Sequence, residues 1–397
     1  MFDTLLKDLR VLDLTQNVAG PFCTQILGDL GAEIIKIERP GTGDDTRAWR
    51  PPELDGHSST FLALNRNKRS ICIDLATPEG QDLVRRLAQS ADVVVHSMKP
   101  GSAEKMGLGS DTLRALNPRL VYCAISAFGE TGPLASLPGY DPLMQAFSGI
   151  MSVTGNEGDD PVRVSVSLID MGTGMWSALG ILAAIMARQT SGEGAVVSAS
   201  LLETGLSWMT VFVAGYLASG QLPRKMGSAM SMAAPYELFK TEDGYVFIAA
   251  GNDRLFAKVC AALKCPELCS DPRFATNADR VRNRDALKQT LTTHTQTWHS
   301  VDLANALRRE GAPCSELNTI DQALDHEQVK VSGMVTPLPS DHAPNLRVVG
   351  LPLRMNGERV GQHQPPPLLG ADTDAILAGL GLQPQELTEL RTRGITG

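Results

Sequence analysis

The chain has 397 residues, an apolar fraction of 43%, a charged fraction of 20% and a formal net charge of −8. This length and composition are typical of a globular protein with two or three domains, and they exclude a disordered chain. The acidic balance argues against proteins that bind nucleic acid or anionic membranes, because both usually carry a surplus of lysine and arginine. An anionic ligand would therefore need a local basic cluster.

The cysteines and the apolar segments indicate the compartment. The seven cysteines are scattered, without a Cys-x-x-Cys pair or a zinc-like spacing, so we expect reduced thiols and no metal site. The first residues lack the basic start, apolar run and cleavage site of a signal peptide. The apolar run at residues 175–187 is shorter than the roughly 20 residues that span a bilayer. We therefore expect a cytoplasmic protein that does not enter a membrane.

Strand and helix patterns alternate through the first half of the chain. Apolar strands are predicted at residues 10–15, 32–38, 70–74, 92–95 and 120–125. Residues 19–21 are predicted to break the first strand before a helix that runs through Leu30, and a second helix is predicted at 78–89. This alternation predicts an α/β fold with a doubly wound parallel sheet, whose ligands bind at the carboxyl ends of the strands. The first turn has no Gly-x-Gly-x-x-Gly, which argues against a nicotinamide dinucleotide. The loops expected at the carboxyl edge begin at Val18, Arg39, Leu75, Ser97 and Asp170.

The second half predicts a smaller α+β domain. Two strands at residues 236–240 and 245–250 flank Asp243-Gly244, which is a strong hairpin signal, and helical segments follow. We therefore divide the chain into three parts. Residues 1–220 form the first part of a large domain, and residues 221–325 form a linker and a small domain. Residues 326–397 return to the large domain. A long helix is also predicted at residues 201–219.

Asp170 stands where two patterns meet. Residues 162–169 alternate in the manner of a strand, and the apolar segment 171–188 predicts a long helix. A carboxylate at this junction could cap the helix by accepting backbone N–H groups, which is the commoner role for such a residue. It could instead act as a nucleophile. The local sequence leaves both interpretations open.

Several blocks of sequence carry a resemblance to a known family. They include VAGPFCTQILGDLGAEIIKIERPGTGDDTR at residues 18–47, NRNKRSICIDLATPEG at 65–80, PGYDPLMQAFSGIMSVTG at 138–155 and APYELFKTEDGYVFIAAGN at 234–252. These blocks, in this order, resemble the family III CoA-transferases, also called the formyl-CoA transferase or CaiB/BaiF family. The resemblance implies an interlocked homodimer that uses coenzyme A thioesters and a carboxylic acid as substrates, with no tightly bound cofactor.

The resemblance also implies roles for individual residues. The family's nucleophilic aspartate falls on Asp170, and Tyr140 and Asp141 fall on residues that approach it. The implied chemistry passes through mixed anhydrides and an aspartyl-CoA thioester. Ser97 stands where the family usually has asparagine, and Lys105 where it often has arginine. The residues implied to bind CoA are Val18, Ala19, Arg39, Leu75, Ala76, Ser97, Lys99, Lys105 and Met106.

Two alternative functions were weighed against CoA transfer. Racemases of the same fold use a His–Asp pair, and their histidine would fall at about Tyr140. Because tyrosine is a poor general base at neutral pH, transfer is favoured over racemisation. The second alternative is a CoA-binding protein without turnover, which the presence of Asp170 and the PGYD motif makes less favourable.

The acceptor and the stabilising donors are weaker expectations. Oxalate-using relatives carry a glycine-rich loop where residues 224–234 have a single glycine, so we expect another small dicarboxylic acid, with succinyl-CoA as donor. Arg47, Arg50 and Arg66 are candidates for holding its second carboxylate. The backbone amides of Gly172 and Gly174, at an expected helix start, are candidates for stabilising a developing oxyanion, with close packing as the alternative.

Overall fold

Six parallel strands form the main sheet of the computed structural model, which describes residues 5–359 and 364–397. The spatial order is β3-β2-β1-β4-β5-β6, so the order reverses direction between β1 and β4, where ligands of such sheets bind. The predicted α/β class and parallel sheet are confirmed. The strands are β1 (Arg10–Leu14), β2 (Glu33–Glu38), β3 (Lys68–Cys72), β4 (Val93–His96), β5 (Val121–Ser126) and β6 (Val196–Ser200).

One face of the central strands packs against an apolar core, whereas Asp13 and Lys36 are buried on the other face. Leu12 of β1 lies between Ile35 of β2 and Val94 of β4, and all three side chains are buried. Near-continuous runs of branched apolar residues are typical of parallel strands in this position. The helices nearest the sheet and the site are α1 (Ala19–Asp29), α2 (Pro78–Gln89), α3 (Asp141–Phe147), α4 (Leu168–Ser191), α5 (Leu201–Trp208) and α6 (Thr210–Ser219).

Shorter elements complete the rest of the chain. Three two-stranded sheets pair Glu53–Leu54 with His57–Ser58, Val335–Pro337 with Arg347–Val349, and Arg354–Met355 with Glu358–Arg359. The predicted surface return at residues 331–367 includes 360–363, which lie outside the described residues. Six further short helices of the described residues belong to the unit with the large sheet: Asp45–Ala48, Ser59–Leu64, Ser102–Lys105, Ser110–Leu116, Thr373–Gly379 and Pro384–Thr392. The short helix Ile150–Val153 lies where the chain passes from the first unit to the second.

The chain forms two compact units. The first comprises the chain up to Ile150, Val164–Ala214 and the chain from Lys330 onward. The second comprises Met151–Arg163 and Gly215–Val329, so it includes a segment that the sequence assigned to the large domain. The division of the chain into a large and a small domain stays a prediction.

An antiparallel sheet and a bundle of short helices build the second unit. Strands β7 (Tyr236–Lys240), β8 (Tyr245–Ala249) and β9 (Cys314–Glu316) pair in the order β9-β8-β7, and the predicted Asp-Gly hairpin is confirmed. Buried phenylalanines, Phe239 and Phe256 among them, form its core. The helices are Asp253–Ala262, Pro266–Cys269, Asn277–Arg282, Arg284–Thr295, Ser300–Glu310, Ile320–Asp325 and Glu327–Ser332.

The predicted single helix at residues 201–219 is two helices. Between α5 and α6 the axis bends by 64°. Met209, at the break, is buried, whereas no residue of α6 is buried. Neither glycine nor proline stands at residues 208–210, so the local sequence gives no sign of the bend.

One helix in the described parts of the chain, α4, is long and apolar enough to cross a membrane by length and composition alone. In its most apolar window of 18 residues, 44% are buried within the protein. The bent pair of α5 and α6 would count as a second span only if both helices were taken together. A core helix of a water-soluble protein satisfies the same criterion, so this feature does not by itself identify a membrane protein.

A glycine allows α4 to pack closely against α1. A Cβ atom at Gly174 would lie 2.5 Å from the carbonyl oxygen of Ala19 and 3.1 Å from the backbone nitrogen of Cys23. Both neighbours are backbone atoms of α1, which cannot move without shifting that helix. The absence of a side chain at Gly174 therefore sets the distance between the two helices.

We expect Gly174→Ala to lower the free energy of unfolding by about 1–3 kcal/mol, because overpacking forces backbone shifts. Urea denaturation would measure the change. Gly379→Ala is the matched control, since Gly379 ends the helix Thr373–Gly379 and an added Cβ would meet no atom within 4 Å. Equal stability changes in the two variants would contradict the role assigned to Gly174.

Candidate active site

A cavity of about 230 Å³ lies at the carboxyl edge of the parallel sheet. The loops after β1, β4 and β5 line it, together with the segment before α3 and the first turn of α4. This is the position where ligands bind in such sheets. The cavity brings together six residues proposed from the sequence, namely Val18, Ala19, Ser97, Lys99, Tyr140 and Asp170.

Asp170 does not follow a strand. The prediction of a strand at residues 162–169 is wrong, because 161–164 lie in extended loop and α4 already begins at Leu168. A side chain binds the backbone that a sheet would have paired: Val164 N–H donates to Gln145 Oε1 (2.8 Å), and Gln145 Nε2 donates to the Val164 carbonyl (3.0 Å). Val166, whose alternation suggested a strand, is 62% exposed.

Another carboxylate caps α4. Asp141 Oδ2 accepts hydrogen bonds from the backbone N–H groups of Ile169 (2.7 Å) and Asp170 (3.1 Å). Asp141 Oδ1 accepts a hydrogen bond from Gln145 Nε2 at 2.5 Å. The interpretation of Asp170 as the helix cap is therefore wrong, since Asp141 fills that role from the first turn of α3.

The first-turn amides of α4 are all occupied. In addition to the two bound by Asp141, Leu168 N–H donates to the Val166 carbonyl (2.7 Å) and Met171 N–H to the Ser167 carbonyl (3.0 Å). Gly172 and Gly174 lie beyond this turn, where the helix pairs its own amides. The prediction that they offer free N–H groups to an oxyanion is wrong. Gly172 instead packs against Trp208, whose ring would lie 2.7 Å from an added Cβ.

The position of Asp170 disfavours its charge. Burial raises the pKa of this carboxyl, and the nearby carboxylate of Asp141 raises it further, to about 7. Among the described residues, no cation offsets these two effects. A carboxyl with this pKa exists in both protonation states near neutral pH, and its ionised form is a poorly solvated nucleophile.

Comparison with known proteins identifies the family. The sequence model of CoA-transferase family III matches residues 6–373. The chain belongs to this family. The resemblance stated from the sequence is thereby confirmed, and the protein is a CoA-transferase.

Relatives of this CoA-transferase cover nearly all of its length. Succinyl-CoA:glutarate CoA-transferase of Mus musculus is 38% identical over 372 residues, which are 94% of this chain and 85% of that protein. Succinate–glutarate CoA-transferase of Agrobacterium fabrum is 38% identical over 94% of this chain and 95% of its own length. The crystal structure of a CaiB/BaiF family protein from Brucella suis superposes with a TM-score of 0.85 at 38% identity, covering 94% of this chain and 98% of that one.

The other residues proposed to bind CoA lie outside the lining of the cavity. Arg39, after β2, has an exposed side chain that pairs with Asp45 and donates to the Gly43 carbonyl (3.2 Å). Leu75 and Met106 pack against the core under the sheet edge. Ala76 and Lys105 are exposed. Their roles in the CoA-transferase stay predictions.

All three arginines proposed to hold a carboxylate are engaged elsewhere. Arg47 binds Glu38 through two hydrogen bonds of 2.7 and 2.8 Å, and buried Arg66 binds Asp29 (Nε to Oδ1, 2.8 Å). Arg50 donates to a loop carbonyl. None of the three lines the cavity, where Lys99 is the one cationic side chain among the described lining residues.

The sequence reasoning missed the role of Gln145 at this site. It lies four residues after Asp141 in α3, a spacing that places both side chains on one helix face. Gln145 is buried, and it connects Asp141 to the loop before α4. A buried glutamine one turn after an acidic residue is a signal that would have indicated a hydrogen-bonded pair.

We expect Asp170→Asn to be more stable than the wild type at pH 8, by roughly 2–4 kcal/mol. The pKa of Asp170 rises from 3.8 in an ordinary aspartate to about 7 in the fold, so ionisation disfavours folding. This cost is absent below pH 4, grows as the pH rises towards 7 and is complete above it. Chemical denaturation across this pH range would measure the difference.

The matched control is Asp111→Asn, which changes an exposed aspartate on the helix Ser110–Leu116. This control should show no comparable pH dependence. If Asp170→Asn differed from the wild type by the same amount at pH 4 and pH 8, the raised pKa of Asp170 would be refuted.

Proposed function

We propose that this CoA-transferase moves CoA from an acyl-CoA thioester, succinyl-CoA or a similar donor, to a small dicarboxylic acid, with Asp170 as the nucleophile. The observation that carries the proposal is the carboxylate of Asp170, which is half-buried in the cavity and does not cap its helix. The relatives named for succinyl-CoA and glutarate support the choice of donor and acceptor.

The first half of the reaction loads CoA onto the enzyme. A carboxylate oxygen of Asp170 attacks the thioester carbonyl of the donor, the C–S bond breaks, and a mixed anhydride and CoA thiolate form. The thiolate then attacks the aspartyl carbonyl of the anhydride. The C–O bond to the donor acyl group breaks, which leaves an aspartyl-CoA thioester and releases the donor acid as its carboxylate.

The second half repeats these steps in reverse order with the acceptor. A carboxylate oxygen of the acceptor attacks the aspartyl thioester and displaces CoA thiolate, giving a second mixed anhydride. The thiolate then attacks the acceptor acyl carbonyl and releases Asp170 as a carboxylate. Both intermediates hydrolyse if water reaches them, so a confined cavity favours transfer over hydrolysis.

The CoA moiety would extend from this cavity along the sheet edge. We assign Val18, Ala19, Ser97 and Lys99, which line the cavity, to contacts with CoA. Arg39 would exchange its partner Asp45 for a phosphate, and the exposed ammonium group of Lys105 would supply a second positive charge. Leu75, Ala76 and Met106 would form the adenine side, and Tyr140 and Asp141 would support Asp170.

The wild type should exchange CoA between succinyl-CoA and at least one acid in a panel of small dicarboxylates that includes glutarate and oxalate. Asp170→Asn should lower this rate by at least about 10³-fold, because removal of a nucleophile abolishes the covalent route. Mass spectrometry would measure the acyl-CoA products. After incubation with succinyl-CoA, hydroxylamine or borohydride should modify Asp170 in the wild type.

Asp111→Asn is again the matched control and should exchange CoA at the wild-type rate. Exchange that persists in Asp170→Asn would exclude the covalent mechanism. Tight CoA binding without exchange to any acid would favour the non-catalytic alternative, and inversion of a 2-methylacyl-CoA would favour a racemase.

We also propose that the protein is a cytoplasmic homodimer that enters no membrane and needs no tightly bound cofactor. Exposed apolar side chains of the first unit support the dimer: Leu179 of α4 is 57% exposed, and Val211, in the first turn of α6, is 73% exposed. Exposed apolar patches of this kind mark interaction surfaces. Trp176, Met186 and Val213 extend the same kind of surface. The family resemblance implies that the two chains are interlocked.

Multi-angle light scattering should give a mass of about twice the 42.5 kDa of the chain without detergent. The two chains should exchange slowly with a tagged copy if they are interlocked, because exchange then requires unfolding. A monomeric mass, or recovery only in the presence of detergent, would contradict the dimer.

A further inference from the structure

A buried carboxylate outside the cavity organises the loop that enters it. Asp44 is almost completely buried and caps the helix Asp45–Ala48. Its Oδ1 atom accepts hydrogen bonds from Thr46 N–H (2.9 Å), from Thr46 Oγ1 (2.8 Å) and from the backbone N–H of Asn17 (3.2 Å). Asn17 belongs to the loop after β1. One carboxylate thus connects the segment after β2 to the segment after β1.

A buried lysine pairs with the carboxylate of Asp44. Lys36 of β2 is completely buried, and its Nζ atom lies 2.8 Å from Asp44 Oδ2. Lys36 Nζ also donates a hydrogen bond to the Thr15 carbonyl at 2.9 Å. Burying such a pair often gives no net gain in stability over apolar side chains of similar size. Stability alone therefore does not explain a charged pair at this place.

The backbone conformation of Asn17 indicates which segment the Asp44–Lys36 pair holds in place. Asn17 has a φ of 68°, in the left-handed region that only a few per cent of residues other than glycine adopt. The residue lines the cavity and directly precedes Val18 and Ala19. Its backbone N–H donates to the buried carboxylate of Asp44. Asparagine adopts this conformation more readily than most other residues except glycine, and the hydrogen bond to Asp44 holds the backbone in it.

We propose that Asp44, held by Lys36, is a positioning residue that fixes the loop Gln16–Ala19 in the conformation that binds the acyl-CoA substrate. This inference rests on the proposed function, because it takes Val18 and Ala19 as CoA contacts. Asp44 acts through Asn17 and does not touch the substrate. Its hydrogen-bond acceptor, more than its charge, performs this role.

Two double variants separate the acceptor from the ion pair. Lys36→Met/Asp44→Asn removes both charges and keeps a carbonyl oxygen at position 44, which can accept from Asn17. Lys36→Met/Asp44→Leu removes both charges and the acceptor. Neither variant leaves an unpaired charge at the pair. If either double variant failed to fold, Asn17→Ala would test the same loop, because alanine disfavours the left-handed conformation. Asn17→Gly would be its control, because glycine adopts that conformation readily.

The Asn double variant should bind CoA and acyl-CoA within about threefold of the wild type. The Leu double variant should raise the Kd of CoA by calorimetry, and the KM of the acyl-CoA donor, by at least tenfold. Its kcat should change less than threefold, because Asp170 and Asp141 are untouched. A general loss of stability would instead lower the amount of folded enzyme. It would not raise KM while leaving kcat nearly unchanged.

Arg188→Met/Asp92→Leu is the matched control. Asp92 likewise accepts a backbone N–H, from Arg10 (2.9 Å), and pairs with a buried cation, Arg188 (2.9 Å), but it precedes β4 at the opposite edge of the sheet. This control should leave the Kd of CoA unchanged.

Equal CoA affinities in the Asn and Leu double variants, or an equal loss in the control, would overturn the role of Asp44. Wild-type protein that binds CoA but exchanges it with no acid would refute the proposed function alone, since the comparison of Kd values would still decide the role of Asp44. Wild-type protein that binds no CoA would overturn both.

Discussion

The capping of α4 by Asp141 is the interaction on which the candidate active site depends. The first turn of a helix offers unpaired N–H groups that would stabilise any nearby carboxylate. Asp141 takes two of them, from Ile169 and Asp170, and its second oxygen is fixed by Gln145. The side chain of Asp170 is therefore left without this source of stabilisation. Two carboxylates thus lie at one helix end in different environments: Asp141 caps the helix, and Asp170, the proposed nucleophile, does not.

A second constraint connects this helix end to the loop proposed to hold CoA. Gly174 lies one turn after Asp170, and its lack of a side chain leaves room for the carbonyl of Ala19, which would lie 2.5 Å from an added Cβ. Ala19 lines the cavity and begins α1. A shift in the packing of the two helices would therefore change the distance between Asp170, the proposed nucleophile, and that loop. Because backbone atoms, which are less mobile than side chains, make this close approach, a change in the position of α1 would also move Asp170.

The sequence predicted the regular parts of the fold well, because local periodicity determined them. The parallel strands, the helix Pro78–Gln89 and the Asp-Gly hairpin follow from apolar spacing and turn residues close in sequence. The segment before Asp170 was mispredicted because Gln145, almost 20 residues earlier in the chain, binds its backbone in place of a strand.

The same distinction explains what could be foreseen of the site. Family resemblance gave Asp170, but no local pattern indicates that Asp141 would cap its helix from 28 residues away. The sequence does not indicate which residues pair with the arginines proposed to bind the acceptor. Arg66, for example, pairs with Asp29 of α1, which is distant in sequence. Charge partners of this kind are set by tertiary contacts, which residue type alone does not reveal.

The environment of Asp170 has a consequence for the proposed chemistry. Its ionised form is disfavoured by burial and by the charge of Asp141, as the pKa of about 7 shows. Both proposed intermediates, the mixed anhydride and the aspartyl thioester, replace this charge with a neutral acyl group. Acylation therefore relieves the electrostatic cost that the free carboxylate carries, so the charge of Asp141 favours the acylated enzyme over the free one. A cation beside Asp170 would have the opposite effect, because it would stabilise the free carboxylate and raise the barrier to its attack. The arrangement of one capped carboxylate beside one uncapped carboxylate thus suits a cycle in which the enzyme alternates between a charged and a neutral Asp170.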